Sequence, residues 1–148
     1  MTYWPIDGTQ VCTVWVALDP VSAENGAVEY VRGSHQWGKK YRPASFGDNN
    51  QYTENLPGVP DIEAHRAEHE IAQFELSPGD CTVHHGLTVH AAPGNLAIHT
   101  RRRAYTSRWA GDDVRFHPRD GLQEMPPAPA ELSIGDALDS DLWPRILG

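Results

Sequence analysis

Val11-Cys12-Thr13-Val14-Trp15-Val16-Ala17-Leu18, followed past Asn25-Gly26 by Ala27-Val28-Glu29-Tyr30-Val31, is the stretch whose reading decides the fold. Its first run is rich in β-branched and aromatic side chains and too short for a stable helix, so it reads as a strand. Asn25-Gly26 is a tight-turn dipeptide because both residues tolerate positive φ. Residues 27–31 then read as a returning strand, and the two strands are expected to form a hairpin or a connected antiparallel pair.

Working outward, Ile71 to Leu76 is a further strand candidate. Ser77-Pro78-Gly79-Asp80 is a turn in which Pro sets φ at the second position and Gly supplies positive φ at the third. Cys81 to His84 and Thr88 to His90 are short strands around Gly86, and a last strand runs from about Arg102 to Trp109. Six short strands punctuated by turns predict a mostly all-β sandwich or barrel rather than a βαβ fold. Residues 36–70 hold no sustained period beyond a helical turn or two at Asp61 to Glu70, and they read as a lid or binding loop. From Gly111 the chain is acidic and rich in Pro (Pro126, Pro127, Pro129), an extended tail expected to dock through Leu142 and Trp143. The expected division is therefore a β domain over 1–110 with a wrapping tail over 111–148.

Composition agrees. A chain of 148 residues suits one core, and 13 Gly with 12 Pro are too many for a helix bundle. The net charge of −8 argues against nucleic acid and anionic membranes as partners, and Arg101-Arg102-Arg103 is too short a basic run to reverse that. No apolar run approaches a membrane span, and Met1 to Pro5 lack the features of a signal peptide. Cys12 and Cys81 both fall in strand-like segments and read as core thiols, which makes a cytoplasmic protein the expectation.

The chemistry-bearing residues cluster late. His90 closes a strand before the turn Ala91-Ala92-Pro93-Gly94-Asn95, and the three Arg follow at the start of the next strand. An imidazole and a guanidinium on adjoining strands suit a metal beside a dicarboxylate, because Arg grips a carboxylate through two parallel hydrogen bonds. Taken alone, a His in a sheet is more often a hydrogen-bonded core residue. His65 and His69 stand i, i+4 beside Glu68 and read as a solvated face. Of His84-His85, one should point inward and one outward, with a supporting role beside a metal. His35 reads as a turn and packing residue, and Asn25 and Asn95 as turn-formers.

Taken in order, Tyr3-Trp4-Pro5, Val14 to Pro20, Glu24 to Val31, Gly33-Ser34-His35, Pro78-Gly79-Asp80, His90 to Asn95 and Arg101 to Ala104 resemble the phytanoyl-CoA dioxygenase family of iron(II)- and 2-oxoglutarate-dependent oxygenases. The resemblance implies a double-stranded β-helix, or jelly roll, with Fe(II) in a two-His, one-carboxylate triad and 2-oxoglutarate as cosubstrate. It implies that His90 is a metal ligand and that Arg102, with Arg101 as runner-up, clamps the cosubstrate's distal carboxylate. Trp15 would line that pocket, its alternative being an ordinary core aromatic. Trp37, Tyr41, Arg42 and Tyr52 of the long loop would shape the pocket of a small-molecule or acyl-thioester substrate. The implied reaction oxidises 2-oxoglutarate to succinate and CO₂ and hydroxylates an unactivated C–H bond.

One departure stands out. The family's His-x-Asp motif would fall just before Met1, so the sequence offers one of the three implied ligands and an incomplete jelly roll. Open sheet edges of that kind invite self-association. The chain by itself is therefore expected to be marginal and inactive. Two alternatives stay open: an iron halogenase of the same fold, and a non-catalytic β-sandwich fragment or binding module. Ala91 and Ala92 also stand where the family commonly has Gly and Ser.

Overall fold

The computed structural model describes residues 4–42, 55–119 and 129–147. The chain divides into two compact units, one of Met1–Val11, Lys39–Pro60 and Ala110–Gly148, the other of Cys12–Gly38 and Asp61–Trp109.

In chain order the strands are β1 (Ile6–Asp7), β2 (Val11–Ala17), β3 (Glu29–Val31), β4 (Ile71–Gln73), β5 (Cys81–His85), β6 (His90–Ala91), β7 (Ala104–Ala110) and β8 (Arg115–Phe116). Helix is confined to two short 3₁₀ turns, Ser34–Trp37 and Arg66–Glu68. The second unit carries two three-stranded sheets, ordered β5-β2-β7 and β4-β3-β6. Successive strands from β4 to β7 alternate between these sheets, as the strands of a jelly roll do. This is the expected all-β class.

The expected β2–β3 hairpin is not formed. β2 pairs antiparallel with β5 and β3 pairs with β4 and β6, so the two strands lie in different sheets. The physical reason lies in the connection. Asn25 donates to the Pro20 carbonyl and accepts from the Ser22 N–H, folding 20–25 into a local turn rather than a hairpin tip. Val21 then forms a bridge with Leu76 through two backbone hydrogen bonds of 2.8 and 3.1 Å. Gly26 follows at φ +89°, where a Cβ would meet the Pro93 carbonyl oxygen at 2.6 Å. The chain thus crosses to the second sheet on a backbone only Gly provides.

The expected Ser77-Pro78-Gly79-Asp80 turn is present, with Gly79 at φ +96° and Asp80 N–H donating to the Ser77 carbonyl at 3.0 Å. The last strand starts at Ala104, so Arg101 to Arg103 precede it rather than belong to it. Asn95 shapes the loop before them through side-chain hydrogen bonds to Ala97 and Thr100.

The core of this unit is small: Ala17, Val21 and Ala27 are buried, with Trp15 and Leu76 packed against them. The other unit holds the two-stranded sheet β1-β8 and a cluster of Ile6, Val11 and Val114. Trp143 packs on that cluster, its ring 6.1 Å from Phe116. The second tail anchor is Leu138, whereas the expected Leu142 is 58% exposed. Asp113 ties this unit together by accepting from the Thr9 and Gln10 N–H groups and the Thr9 hydroxyl.

The cysteine expectation also needs correcting. Both are free, but Cys81 is exposed and Cys12 only partly buried. In the β2–β5 register Cys12 lies opposite His85 and Cys81 opposite Val16, on the sheet face that also carries the exposed Val83. Strand alternation puts them away from Thr13, Trp15, Thr82 and His84, which face the second sheet.

Candidate functional site

Three of the residues named from sequence, His90, Arg102 and Trp15, belong to the two-sheet unit. His90 opens β6 and stands directly across from Tyr30 of β3. From the facing sheet, β5 presents Thr82 and His84 on its inward side, opposite Trp15 and Thr13 of β2. The buried Tyr30 joins the two sheets. Its hydroxyl is 2.8 Å from the Thr82 hydroxyl, and its ring lies 5.0 Å from His84 and 6.0 Å from His90. Burial pushes the Tyr30 phenol above its usual pKa.

The two imidazoles are close, with ring centroids 4.8 Å apart and tilted by 58°. His90 places Nδ1 2.8 Å from the Thr88 carbonyl. A carbonyl only accepts, so Nδ1 carries the proton and Nε2 keeps its lone pair. His90 is exposed as a residue, while its ring packs against His84 and Tyr30, and desolvation on that side lowers its pKa. His84 is driven further, to about 4, by burial and then by the neighbouring His90 and Arg108. Its Nδ1 is buried with no hydrogen-bond partner among the described residues.

The three arginines separate cleanly. Arg103 makes a fork with Asp19 at 2.8 and 3.0 Å, and its backbone N–H adds a third hydrogen bond to the same carboxylate. Those contacts hold Asp19 well below the usual carboxylate range. Arg101 is exposed. Arg102 instead lays its guanidinium over the Trp15 ring, 5.7 Å from the centroid. Its Nε is buried with no hydrogen-bond partner among the described residues. Trp15 also lines a small apolar cleft of about 10 Å³ with Val28, Tyr30, Phe74, Leu76 and Thr82. A buried guanidinium N–H without a partner among the described residues suits a carboxylate acceptor.

The described loop residues divide between the two units. Trp37 ends a 3₁₀ turn with its ring 5.7 Å from His69. Tyr41 and Arg42 belong to the other unit, where Arg42 forms a bridge with Gly58. Tyr52 lies outside the described residues. His65 contacts Glu68 at 3.2 Å while His69 meets Trp37, so those two histidines share no helical face. His85 accepts from the Leu87 N–H and stacks on His35 at 5.3 Å, a packing role for both. Sequence reasoning did not pick out Tyr30 and Thr82. Period-two alternation from His84 flags Thr82, but only the β3–β6 register brings Tyr30 to His90.

Comparison with known proteins bears on this arrangement. Residues 1–104 match the family model described as phytanoyl-CoA dioxygenase. The chain belongs to the phytanoyl-CoA dioxygenase family. A phytanoyl-CoA dioxygenase domain-containing protein 1 homolog of Caenorhabditis briggsae is 31% identical over 108 residues, covering 69% of this chain and 34% of the relative. Among solved structures, the non-heme α-ketoglutarate-dependent carbocyclase SnoK of nogalamycin biosynthesis aligns with TM-score 0.69 and 28% identity, over 95% of this chain and 50% of that one. The epimerase SnoN in complex with Fe³⁺, α-ketoglutarate and nogalamycin RO aligns with TM-score 0.68 and 28% identity, over 96% and 53%. This phytanoyl-CoA dioxygenase family member has their jelly-roll fold, and it spans about a third of the curated relative's length and half of these structures.

The three-ligand iron set of the family is not met by the described residues. His90 has His84 beside it, and no cluster of three or more His, Cys, Asp or Glu that could hold a metal occurs among them. No helix among the described residues is long and apolar enough to cross a membrane.

Proposed function

We propose that this chain is part of a 2-oxoglutarate-dependent oxygenase and supplies its cosubstrate pocket. One observation carries the reading: Arg102 rests on Trp15, which also lines the apolar cleft, and its buried Nε has no partner among the described residues. We assign the dicarboxylate 2-oxoglutarate to this place. Its distal carboxylate would take the guanidinium's hydrogen bonds, with the Thr82 hydroxyl as a further donor, while its methylenes lie along Trp15 and Leu76. Thr82 would supply the hydroxyl that Ala91 and Ala92 lack. Tyr30, by bonding Thr82, fixes the direction in which that hydroxyl donates.

In family members with the full ligand set, iron provides the oxidising chemistry. This chain contributes the His90 imidazole from the facing sheet, with its tautomer held by Thr88. Hydroxylation of a small-molecule or acyl-thioester C–H bond, and a cytoplasmic setting for a protein with two free cysteines, belong to the same proposal.

Calorimetric titration of the metal-free chain with 2-oxoglutarate tests the pocket. Arg102→Ala should weaken binding about 10- to 100-fold, the range of a charge-assisted hydrogen-bonded pair, and Arg101→Ala should leave it within about two-fold. Equal losses in both variants, or no binding by the unaltered chain at millimolar ligand, would overturn the reading in favour of a fragment without the cosubstrate site.

A further inference from the structure

The described residues lack the three-ligand iron set, yet they place two tilted imidazoles in contact inside the two-sheet unit. We propose that His84 and His90 form a two-histidine site for a late first-row divalent cation such as nickel(II). The site recruits His84, which the family's ligand set does not include, and it does not depend on the 2-oxoglutarate reading at Arg102.

Geometry carries the proposal. An imidazole that binds such a cation at about 2.0–2.1 Å puts its ring centroid about 3.2 Å from the metal. Two rings meeting there at octahedral to tetrahedral angles therefore sit about 4.5–5.2 Å apart. The observed separation is 4.8 Å, and the 58° tilt is far from a parallel stack. Each ring also has an available nitrogen. His90 uses Nδ1 on the Thr88 carbonyl, which leaves the Nε2 lone pair. His84 keeps a buried Nδ1 without a hydrogen-bond partner among the described residues. A buried nitrogen in that state gains from any partner that enters.

The surroundings favour a fixed pair. His84 sits within β5, while His90 is paired in register with Tyr30. Tyr30 packs against both rings with its hydroxyl engaged by Thr82, so the imidazoles are held rather than free to swing apart. Two neutral nitrogen donors without a carboxylate or thiolate select late metals: imidazole suits nickel, copper and zinc, and affinity at a given site rises along the first row toward copper. The accessible side of His90 leaves room for water to complete the coordination shell.

The test uses the full chain and nickel(II) alone. In imidazole-detected NMR spectra, substoichiometric nickel should broaden His84 and His90 first and together, ahead of His35, His65, His69, His85, His99 and His117. By calorimetry, His84→Phe and His90→Phe should each weaken nickel binding at least about ten-fold, while the double variant His65→Asn, His69→Asn should change it less than about two-fold. Earlier broadening of any other histidine, or nickel affinity unchanged in His84→Phe, would overturn the proposal. Should a Phe variant fail to fold, the order of broadening in the unaltered chain decides by itself. Retained nickel binding in Arg102→Ala, with loss of 2-oxoglutarate binding, separates the two sites.

Discussion

Thr82 and Tyr30 meet through hydroxyls 2.8 Å apart, and each variant of the pair has a different expected cost. Tyr30→Phe leaves the ring against His84 and His90 but strands a partly buried Thr82 hydroxyl. Urea unfolding should register a loss of about 1 kcal/mol, the usual worth of such a bond, and 2-oxoglutarate should bind more weakly. Asp19 gives the pH dependence. Its folded carboxyl lies below the ordinary value because of Arg103, so the unfolded state takes up a proton first as pH falls. Stability from this pair is therefore complete above about pH 4 and is lost as pH drops further. Asp19→Asn should lower the melting temperature at neutral pH and flatten the acid limb of a melting-temperature profile; an unchanged acid limb counts against the clamp. The same pair explains how far the Arg run was legible. The family resemblance implies a cosubstrate Arg within 101–103, but three adjacent guanidiniums differ only in their partners. Those partners come from Asp19 and Trp15, over eighty residues away along the chain.

Among the elements, the link between β2 and β3 separates local from long-range information. Asn25-Gly26 was legible as a turn, and a turn it is. Whether the strands on either side pair with each other was not legible, because register depends on which neighbour offers a continuous ladder. β5 provides five register partners for β2, from Cys12↔His85 to Val16↔Cys81. Pairing β2 with the three-residue β3 could not match that. Gly26 is the residue on which this crossing depends. Gly26→Ala should destabilise the chain by about 1–3 kcal/mol or more, since the methyl meets the Pro93 carbonyl at a φ that L-residues avoid. Chemical denaturation measures it, and a change below about 0.5 kcal/mol would mean that the loop at Pro93 yields easily. β5 itself was read as Cys81 to His84, and its inward and outward histidines follow from simple alternation.

For the whole molecule, the small buried core and the exposed apolar side chains point the same way. Val83 is 62% exposed on β5, which ends one sheet, and Tyr105 is 61% exposed on β7, which ends the same sheet on the other side. We propose that copies of the chain associate along these edges despite their shared charge of −8. Sedimentation should show an average mass that rises with concentration and with salt, and Val83→Lys should reduce it. A single monomeric species across that range would refute the idea. Turn chemistry and strand propensity by themselves determined a mostly all-β sandwich or barrel, because they are properties of neighbouring residues, while the jelly roll and the phytanoyl-CoA dioxygenase family entered through the resemblance of the ordered motifs. Only the tertiary structure decided that β2 and β3 part into two sheets, that Arg102 rather than Arg101 or Arg103 reaches Trp15, and that His84 stands against His90. Each of those depends on side chains brought together by strand register across long loops, which no local pattern encodes.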